Sequence, residues 1–268
     1  LKYFKSSPKY SIKWSNYFEI YENILKKYIN KKITLVEIGV GNGGSLFMWK
    51  KFLGKRANII GVELNPEAKK LEKYGFKIFI GDQSDSTFWK SFYKKVKKID
   101  ILIDDGGHTN LQQITSFMEA IDHINDNGLI VIEDTHTSFM NYKGFKNPSK
   151  NSFINFSTNI IANIHRRNPM LKRKMNKISN KIYSIEYYDS IVAINIKSSN
   201  LKYSKNIQNN NRLNRYFTDY RFKRVINKKY QRGNSLINFI KSKISKKGIL
   251  QRIFENYKIR KYLNKINY

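Results

Sequence analysis

The sequence predicts an α/β fold in which a mostly parallel, seven-stranded sheet is closed by an antiparallel hairpin. Five short apolar runs alternate with helix-length segments over the first half of the chain, and two further runs of strand character flank Asp189-Ser190, a turn sequence. An amphipathic segment precedes the first strand, and a very basic segment follows the last one. We therefore expect a helical lead-in at residues 1–30, an α/β domain at residues 31–200 and a basic helical appendage at residues 201–268.

The apolar runs are short and continuous, as strands covered by helices on both faces are. The predicted parallel strands are Ile33–Ile38, Ile59–Val62, Lys77–Ile80, Ile99–Ile103 and Leu129–Ile132. Helices are predicted from apolar spacing within residues 15–30 and at Ser45–Phe52, Glu67–Tyr74, Ser86–Val96 and Leu111–Ile124. Residues 137–180 are polar and are predicted to be loop-like, and the hairpin is predicted at Ile182–Tyr188 and Ile191–Lys197.

Composition excludes several classes of protein. Hydrophobic residues make up 40% of the 268, which is a globular composition with enough material for a large core. The chain has no cysteine, so disulfides, thiolate metal ligands and cysteine nucleophiles are excluded. No apolar run reaches the ~20 residues that a membrane helix needs, and the first residues lack the apolar stretch of a secretory signal. We expect a cytoplasmic enzyme.

The charge points to an anionic partner. The net charge is +31, and residues 201–268 hold 19 Lys and Arg against two acids, hence +17. Nucleic acid, an acidic membrane surface and an anionic glycan all fit such a charge. We favour a membrane surface, at its inner face, or a glycan over nucleic acid. The alternative is that two apolar stripes at residues 236–244 and 250–257 belong to helices packed on the core or on a second subunit, with a solvated basic face.

A glycine-rich loop follows the first predicted strand. It reads Gly39-Val40-Gly41-Asn42-Gly43-Gly44-Ser45, and its glycines allow a sharp turn and a close approach of ligand to backbone. The spacing also satisfies the dinucleotide pattern, so the loop alone leaves NAD open. Three acids favour S-adenosylmethionine over NAD.

The three acids stand where the first three strands end. Glu37 can face the cationic amino-acid end of S-adenosylmethionine, Glu63 can accept from both ribose hydroxyls, and Asp82 can accept from the adenine amino group. Ordinary carboxylates at strand ends are the alternative for each acid taken singly. The predicted cofactor residues are Glu37, Gly39, Gly41, Asn42, Ser45, Glu63, Asp82, Gln83 and Asp104.

A second acidic group follows the next two strands, at Asp104-Asp105-Gly106-Gly107-His108 and at Glu133-Asp134. Ligands bind beyond the carboxyl ends of such strands, so Asp105, Glu133 and Asp134 are predicted to hold Mg²⁺ or Mn²⁺. A metal would orient and acidify an acceptor hydroxyl, and His108 is predicted to be the general base.

Other histidines and a simpler alternative complete the predicted site. His136 and Tyr17 are candidate substrate residues, whereas His123 is expected to be structural and His165 to lie at the surface. The simpler alternative is that the DDGG turn only connects a strand to a helix, with His108 as the first residue before that helix.

These motifs together resemble a known family. Residues 37–46, Gly81-Asp82-Gln83, the DDGGH segment, residues 131–138 (VIEDTHTS) and residues 187–192 are similar to those of macrocin/mycinamicin-type sugar O-methyltransferases, over about residues 10–197. The resemblance implies a Rossmann-like class I methyltransferase fold and Mg²⁺-dependent transfer to a sugar hydroxyl. It also implies Asp105, Glu133 and Asp134 as ligands, His108 as base, and a homo-oligomer. The tail after residue 200 has no counterpart in that resemblance.

The leading hypothesis is therefore a metal-dependent O-methyltransferase acting on a sugar of a surface polysaccharide or capsule. An RNA methyltransferase is the alternative that the charge suggests, although no RNA-binding fold is recognisable. A catechol-type acceptor is a third possibility, because the same metal chemistry serves any vicinal diol. The fourth is a binding module that keeps the fold without turnover.

Overall fold

The computed structural model describes residues 1–142, 145–146, 151–172, 174–199, 201–205, 207, 256–257 and 259. Residues 1–206 form one compact unit and residues 207–268 a second one. The apolar stripes predicted at residues 236–257 therefore lie almost wholly outside the described residues. Within the described residues, no helix has the length and apolar character needed to cross a membrane.

The first unit is built on the predicted seven-stranded sheet. Its strands are β1 (Thr34–Ile38), β2 (Asn58–Glu63), β3 (Lys77–Ile80), β4 (Ile99–Asp104), β5 (Ile124–Ile132), β8 (Ile182–Tyr188) and β9 (Ile191–Ile196). A separate short hairpin consists of β6 (Asn141–Tyr142) and β7 (Phe145–Lys146). The sheet order is β3-β2-β1-β4-β5-β9-β8, with β1–β5 parallel and with β9 antiparallel to both of its neighbours. The predicted fold class is confirmed.

Helices cover both faces of the sheet. They are α1 (Lys2–Lys5), α2 (Tyr17–Leu25), α3 (Gly44–Leu53), α4 (Ser86–Val96), α5 (Asn110–Ala120) and α6 (Phe153–His165). Short 3₁₀ helices lie at Lys26–Tyr28, Pro66–Tyr74, Thr135–Phe139 and Pro169–Leu171. Thr109 and Gln112 form a reciprocal capping box that starts α5 directly after the DDGGH segment.

Helix α6 differs from the sequence prediction, which treated residues 137–180 as loop-like. Ser152 Oγ caps the helix by accepting from the amide of Asn155. Phe153 and Ile160 lie on the face of the helix that is buried in the core. Seven of the thirteen residues of this helix are apolar, but the polar segments on both sides of it dominated the composition of residues 137–180 and hid its helical periodicity. The segment predicted as helix at residues 67–74 is a 3₁₀ helix that begins at Pro66.

The core has two layers, one on each face of the sheet. Leu35 belongs to the layer packed against α2 and α3, whereas its neighbour Val36 belongs to the layer packed against α4, α5 and α6. Because both faces are buried, strands such as Leu129–Ile132 are fully apolar rather than alternating. This packing holds the carboxyl ends of β1–β5 along one edge, where the loops carry the candidate site.

Candidate active site

A cavity of about 360 Å³ lies at the carboxyl ends of β1–β4. It combines the glycine loop, the ends of β2 and β3 and the DDGG turn. Its walls are formed by Ile38, Gly39, Gly41, Val62, Glu63, Leu64, Gly81, Asp82, Gln83, Asp105, Gly106, Gly107 and Gln112. Of the predicted cofactor residues, the structure brings Gly39, Gly41, Glu63, Asp82 and Gln83 to this cavity.

Backbone and side-chain hydrogen bonds fix the polar groups of the wall. The Glu63 carboxylate accepts from the amides of Gly41 (2.9 Å), Leu64 (2.8 Å) and Asn65 (3.0 Å), which ties the glycine loop to the end of β2. Gln83 accepts from the Gly107 amide at 2.8 Å through its Oε1. The DDGG turn is therefore positioned from β3 as well as from β4.

Gly39 permits the closest backbone approach in this wall. Its φ is +83°, and a Cβ at this position would lie 2.0 Å from the carbonyl oxygen of Asp105. Only glycine fits there without moving the DDGG turn. The first glycine of the loop thus sets how near the loop after β1 lies to the loop after β4.

Four predicted cofactor residues lie outside the cavity wall. Glu37 is fully buried and accepts from Ser45 Oγ (2.6 Å) and Trp49 Nε1 (2.9 Å), so Ser45 is buried with it. Asp104 is also buried, with both oxygens accepting from Gln83 Nε2 at 2.9 and 3.0 Å. Asn42 lines a neighbouring cleft of about 380 Å³ instead. Glu37 and Asp104 are thus buried at the ends of β1 and β4, beneath the loops that line the cavity.

Burial raises the pKa of both of these acids. The pKa of Glu37 rises from 4.5 to about 6, because burial outweighs the opposing effects of Lys13 and of the Ser45 and Trp49 hydrogen bonds. Burial likewise raises the pKa of Asp104, against the hydrogen bond from Gln83. Both carboxyls hold a proton more tightly than they would in water.

Three predicted residues converge beside the cavity. Ligand atoms of Asp105, His108 and Asp134 lie within 4.8 Å of one another. His108 Nε2 is 3.4 Å from Asp134 Oδ2 and 3.8 Å from Asp105 Oδ1, and its buried Nδ1 has no hydrogen-bond partner among the described residues. His108 and Asp134 both have positive φ, of 56° and 52°. Left-handed backbone is costly outside glycine, and at active sites it serves to fix side chains in place.

Glu133 lies deeper than this group. It is fully buried, and its carboxylate accepts from Lys13 Nζ (2.8 and 3.0 Å) and from Tyr21 Oη (2.5 Å). Lys13 Nζ also binds Asp105 Oδ2 and lies 3.8 Å from Glu37 Oε1. One ammonium therefore contacts an acid below the glycine loop and two acids of the predicted metal set.

Electrostatics explains why that lysine is stable in its position. Its side chain is 1% exposed, and burial alone would lower its pKa; the carboxylates of Glu133, Asp105 and Glu37 reverse this and raise the pKa well above the ordinary value. Burial raises the pKa of Glu133 to about 8, with Lys13 opposing that rise. One ammonium thus offsets part of the negative charge of the three acids that it faces.

Sequence reasoning missed both Lys13 and Tyr21. Lys13 is 92 residues from Asp105 and 120 from Glu133 in the chain, and no local motif marks it. Tyr21 belonged only to the apolar stripe of a predicted helix. Tyr17, a predicted site residue, precedes Tyr21 by one helical turn, and this spacing could have identified Tyr21 as well. In the structure, Tyr17 Oη donates to Asp134 Oδ1 at 2.5 Å. Helix α2 thus presents two phenols to adjacent acids.

The other three histidines have different surroundings. His136 borders the cluster, with Nδ1 4.0 Å from Asp134 Oδ1. The His123 ring stacks on Tyr93 at 3.9 Å, and its Nδ1 lies 3.0 Å from the carbonyl oxygen of Lys97. His165 is exposed at the end of α6. His108 is thus the histidine that lies close to two carboxylates, those of Asp105 and Asp134.

The acidic group fits a divalent cation. Asp105 and Asp134 are about one-fifth exposed, and carboxylate oxygens suit Mg²⁺ or Mn²⁺. One oxygen of each accepts a hydrogen bond, Asp105 Oδ2 from Lys13 and Asp134 Oδ1 from Tyr17. Glu133 completes the acidic edge, although its oxygens are bound by Lys13 and Tyr21. The donor chemistry is thus that of an oxygen-rich site open on one side.

Comparison with known proteins agrees with this geometry. Residues 36–135 match a family model described as a methyltransferase domain. The MycE methyltransferase from the mycinamycin biosynthetic pathway, solved with Mg, SAH and mycinamycin VI, superposes with a TM-score of 0.64 and 25% identity. That match covers 74% of this chain and 54% of the MycE chain. The chain therefore has the Rossmann-like methyltransferase fold.

Curated relatives narrow the class further. The 8-demethyl-8-alpha-L-rhamnosyl tetracenomycin-C 2'-O-methyltransferase of Streptomyces olivaceus is 30% identical, over 58% of this chain and 43% of its own length. Mycinamicin VI 2''-O-methyltransferase of Micromonospora griseorubida is 34% identical over 44% and 31%, and demethylmacrocin O-methyltransferase of Streptomyces fradiae is 32% identical over 54% and 38%. The chain is thus related to the macrocin/mycinamicin-type sugar O-methyltransferases, which confirms the resemblance drawn from its motifs. The matched segments span less than half of each of these relatives.

Proposed function

We propose that this protein transfers a methyl group from S-adenosylmethionine to a sugar hydroxyl, with Mg²⁺ or Mn²⁺ at its acidic cluster. One observation carries the proposal: Asp105 belongs both to the wall of the cavity and to the cluster with His108 and Asp134. A cofactor in the cavity and an acceptor at the cluster would therefore meet at the same residue. This is the geometry that transfer between them needs.

The cavity suits S-adenosylmethionine in its polar groups. Glu63 ends β2 and is placed for ribose hydroxyls, and Asp82 with Gln83 ends β3 near where an adenine would lie. Glu37 lies beneath the loop and holds the side chains of Ser45 and Trp49, and Asp104 holds Gln83 and the Gly106 amide, so these acids support the wall without lining it. Asn42 would bind from the neighbouring cleft.

The chemistry follows from the residues at the cluster. Asp105 and Asp134 would hold the cation, which when bound supplies a positive charge that orients and acidifies an acceptor hydroxyl. The acceptor oxygen forms a bond to the methyl carbon while the carbon–sulfur bond breaks and its electron pair stays on sulfur. His108 takes the hydroxyl proton at an imidazole nitrogen, a role worth typically ~10²–10⁴-fold.

The class of acceptor and the location of the enzyme are proposed from charge. The relatives are named for sugars of antibiotics, whereas the +17 of residues 201–268 favours a sugar of a surface polysaccharide or capsule. We place the enzyme in the cytoplasm as a homo-oligomer, with the basic segment in contact with the inner membrane surface or an anionic glycan. Tyr17 and His136 border the acceptor side.

An RNA acceptor is the second candidate, because the net charge of +31 favours phosphates. It makes no use of the acidic cluster, and for that reason it ranks below the sugar. A catechol-type acceptor would use the cluster as a sugar diol does. Product analysis with RNA, catechol and methyl glycosides as competing acceptors separates the three.

Isothermal titration with S-adenosylhomocysteine and with NAD⁺, each with and without Mg²⁺, tests the cofactor first. We expect micromolar binding of S-adenosylhomocysteine and none of NAD⁺; binding of NAD⁺ alone would overturn the proposal. Asp105→Ala should abolish methyl transfer to a glycoside and leave the Kd for S-adenosylhomocysteine within about threefold, less than ~1 kcal/mol. Full activity of Asp105→Ala would contradict the assignment of Asp105 as a metal ligand.

A further inference from the structure

Trp14 is exposed, whereas the other two tryptophans of the chain are buried. Its side chain is 59% exposed, against 1% for Trp49 and 0% for Trp89. Single exposed apolar residues are common on proteins, so exposure alone identifies no site. The position of this indole is what distinguishes it.

Trp14 is held beside the acidic cluster. The preceding residue, Lys13, is anchored on Asp105 and Glu133. The carbonyl of Trp14 accepts from the Tyr17 amide at 3.1 Å, where α2 begins. The indole lies perpendicular to the ring of His136, with centroids 6.1 Å apart. The exposed Trp14 indole thus lies beside the acidic cluster, with the His136 ring between it and Asp134.

The cofactor does not account for this indole. The cavity assigned to S-adenosylmethionine is lined by residues between Ile38 and Gln112, and Trp14 is not one of them. Trp14, in the N-terminal segment, and His136, in the 3₁₀ helix Thr135–Phe139, lie together on another side of the acidic cluster. We assign that side to the acceptor.

We propose that Trp14 is the platform on which the sugar ring of the acceptor stacks. A pyranose presents an apolar face of C–H groups and carries its hydroxyls around the edge, so an aromatic ring binds the face while polar groups take the edge. On Trp14, the edge of the ring would reach His108 and the two aspartates. This inference rests on the proposed function and names a residue that favours a ring-shaped acceptor with an apolar face over an acyclic one.

Fluorescence tests the stacking without any turnover. Because Trp49 and Trp89 are buried, acrylamide quenching of tryptophan emission reports mainly on Trp14. The protein is saturated with S-adenosylhomocysteine and Mg²⁺, and methyl α-L-rhamnopyranoside, methyl α-D-mannopyranoside and methyl β-D-glucopyranoside are added in turn, up to about 100 mM, above the millimolar Kd expected of one sugar ring. We expect at least one glycoside to lower the quenching constant by about twofold. No protection by any of them would overturn the inference.

Kinetics with matched variants provides the second test. For a glycoside that is methylated, Trp14→Ala should raise KM about tenfold and change kcat by less than about threefold, and Trp14→Tyr should recover most of the loss. Tyr183→Ala is the matched control, since Tyr183 is 55% exposed on β8 at the opposite edge of the sheet. The Kd for S-adenosylhomocysteine should be unchanged in all three variants, which shows that they are folded.

The outcomes separate the inference from the function beneath it. An unchanged KM in Trp14→Ala, with wild-type methylation of a glycoside, overturns the platform and leaves the function standing. Binding of S-adenosylhomocysteine with no methylated glycoside overturns the proposed acceptor. Protection of Trp14 by a glycoside that is not methylated supports the platform on its own.

Discussion

Lys13 changes how the charges of the site are understood. Clustered carboxylates need a counter-charge, and the sequence suggested only a divalent cation for that purpose. The structure adds an ammonium that contacts Glu133 and Asp105 and lies 3.8 Å from Glu37. This lysine binds Glu133 and Asp105 Oδ2, while Asp105 Oδ1 and Asp134 Oδ2 face His108.

Replacing this lysine should destabilise the fold. Lys13→Met leaves Glu133 buried beside Tyr21 without its cation, a loss of about 3–5 kcal/mol in the free energy of unfolding at pH 9, where this carboxyl, with its pKa raised to about 8, is ionised. The loss should be smaller at pH 7, where Glu133 holds a proton more of the time. Urea unfolding at both pH values measures it, with the exposed Lys5→Met as control. Equal stability of the Lys13 variant and the wild type would contradict the buried ion pair.

Glu37 makes a separate prediction about pH. Its pKa is raised from 4.5 to about 6 in the folded state, so the folded protein binds a proton more tightly than the unfolded chain does. The resulting stabilisation is complete below pH 4.5 and is lost as pH rises to about 6. Glu37→Gln lacks this titration. Wild type should therefore lose about 2 kcal/mol relative to Glu37→Gln between pH 4.5 and 7 in urea unfolding, and parallel profiles would refute the shift.

At the scale of elements, the loop after β1 and the loop after β4 are built to touch. Gly39 and Gly41 both have positive φ, but only at Gly39 would a Cβ meet the Asp105 carbonyl; at Gly41 nothing lies within 4 Å. Gly41→Ala should cost about 1–2 kcal/mol from backbone strain alone. Gly39→Ala should cost about 1–3 kcal/mol more, because the turn must move. Similar urea midpoints for the two variants would show that the approach is not tight.

The sequence predicted elements whose evidence is local, and it missed contacts whose evidence is not. Strands such as Lys77–Ile80 were found because a buried strand is recognisable from its own residues. The same holds for the acids that end β4 and β5, since neighbouring strands bring their ends together. Helix α6 was missed because polar segments flank it within residues 137–180. Lys13 was missed because its partners are about 100 residues away in the chain.

At the scale of the whole molecule, the N-terminal segment is part of the first unit and of its candidate site. Ser7 Oγ donates to the carbonyl of Gly44 at 2.8 Å, and a Cβ on Gly44 would lie 2.5 Å from the carbonyl of Lys9. The segment therefore crosses the start of α3 before it delivers Lys13, Trp14 and α2 to the site. Residues 1–30, predicted as a helical lead-in, supply four side chains at the candidate site: Lys13, Trp14, Tyr17 and Tyr21.

The second unit, residues 207–268, should be dispensable for the fold and for the cofactor. All seven strands of the large sheet and both core layers lie within residues 1–199. A chain ending at residue 206 should keep its Tm within about 4 °C of the full chain, which corresponds to about 1 kcal/mol, and should bind S-adenosylhomocysteine with the same Kd. It loses 17 Lys and Arg and two acids, which is +15 of the net +31, so its affinity for vesicles of acidic lipid should fall well below that of the full chain. Calorimetry and co-sedimentation measure the two effects independently. A truncated chain that unfolds would place part of the core beyond residue 206, and one that binds vesicles as tightly as the full chain would move the anionic contact to the first unit.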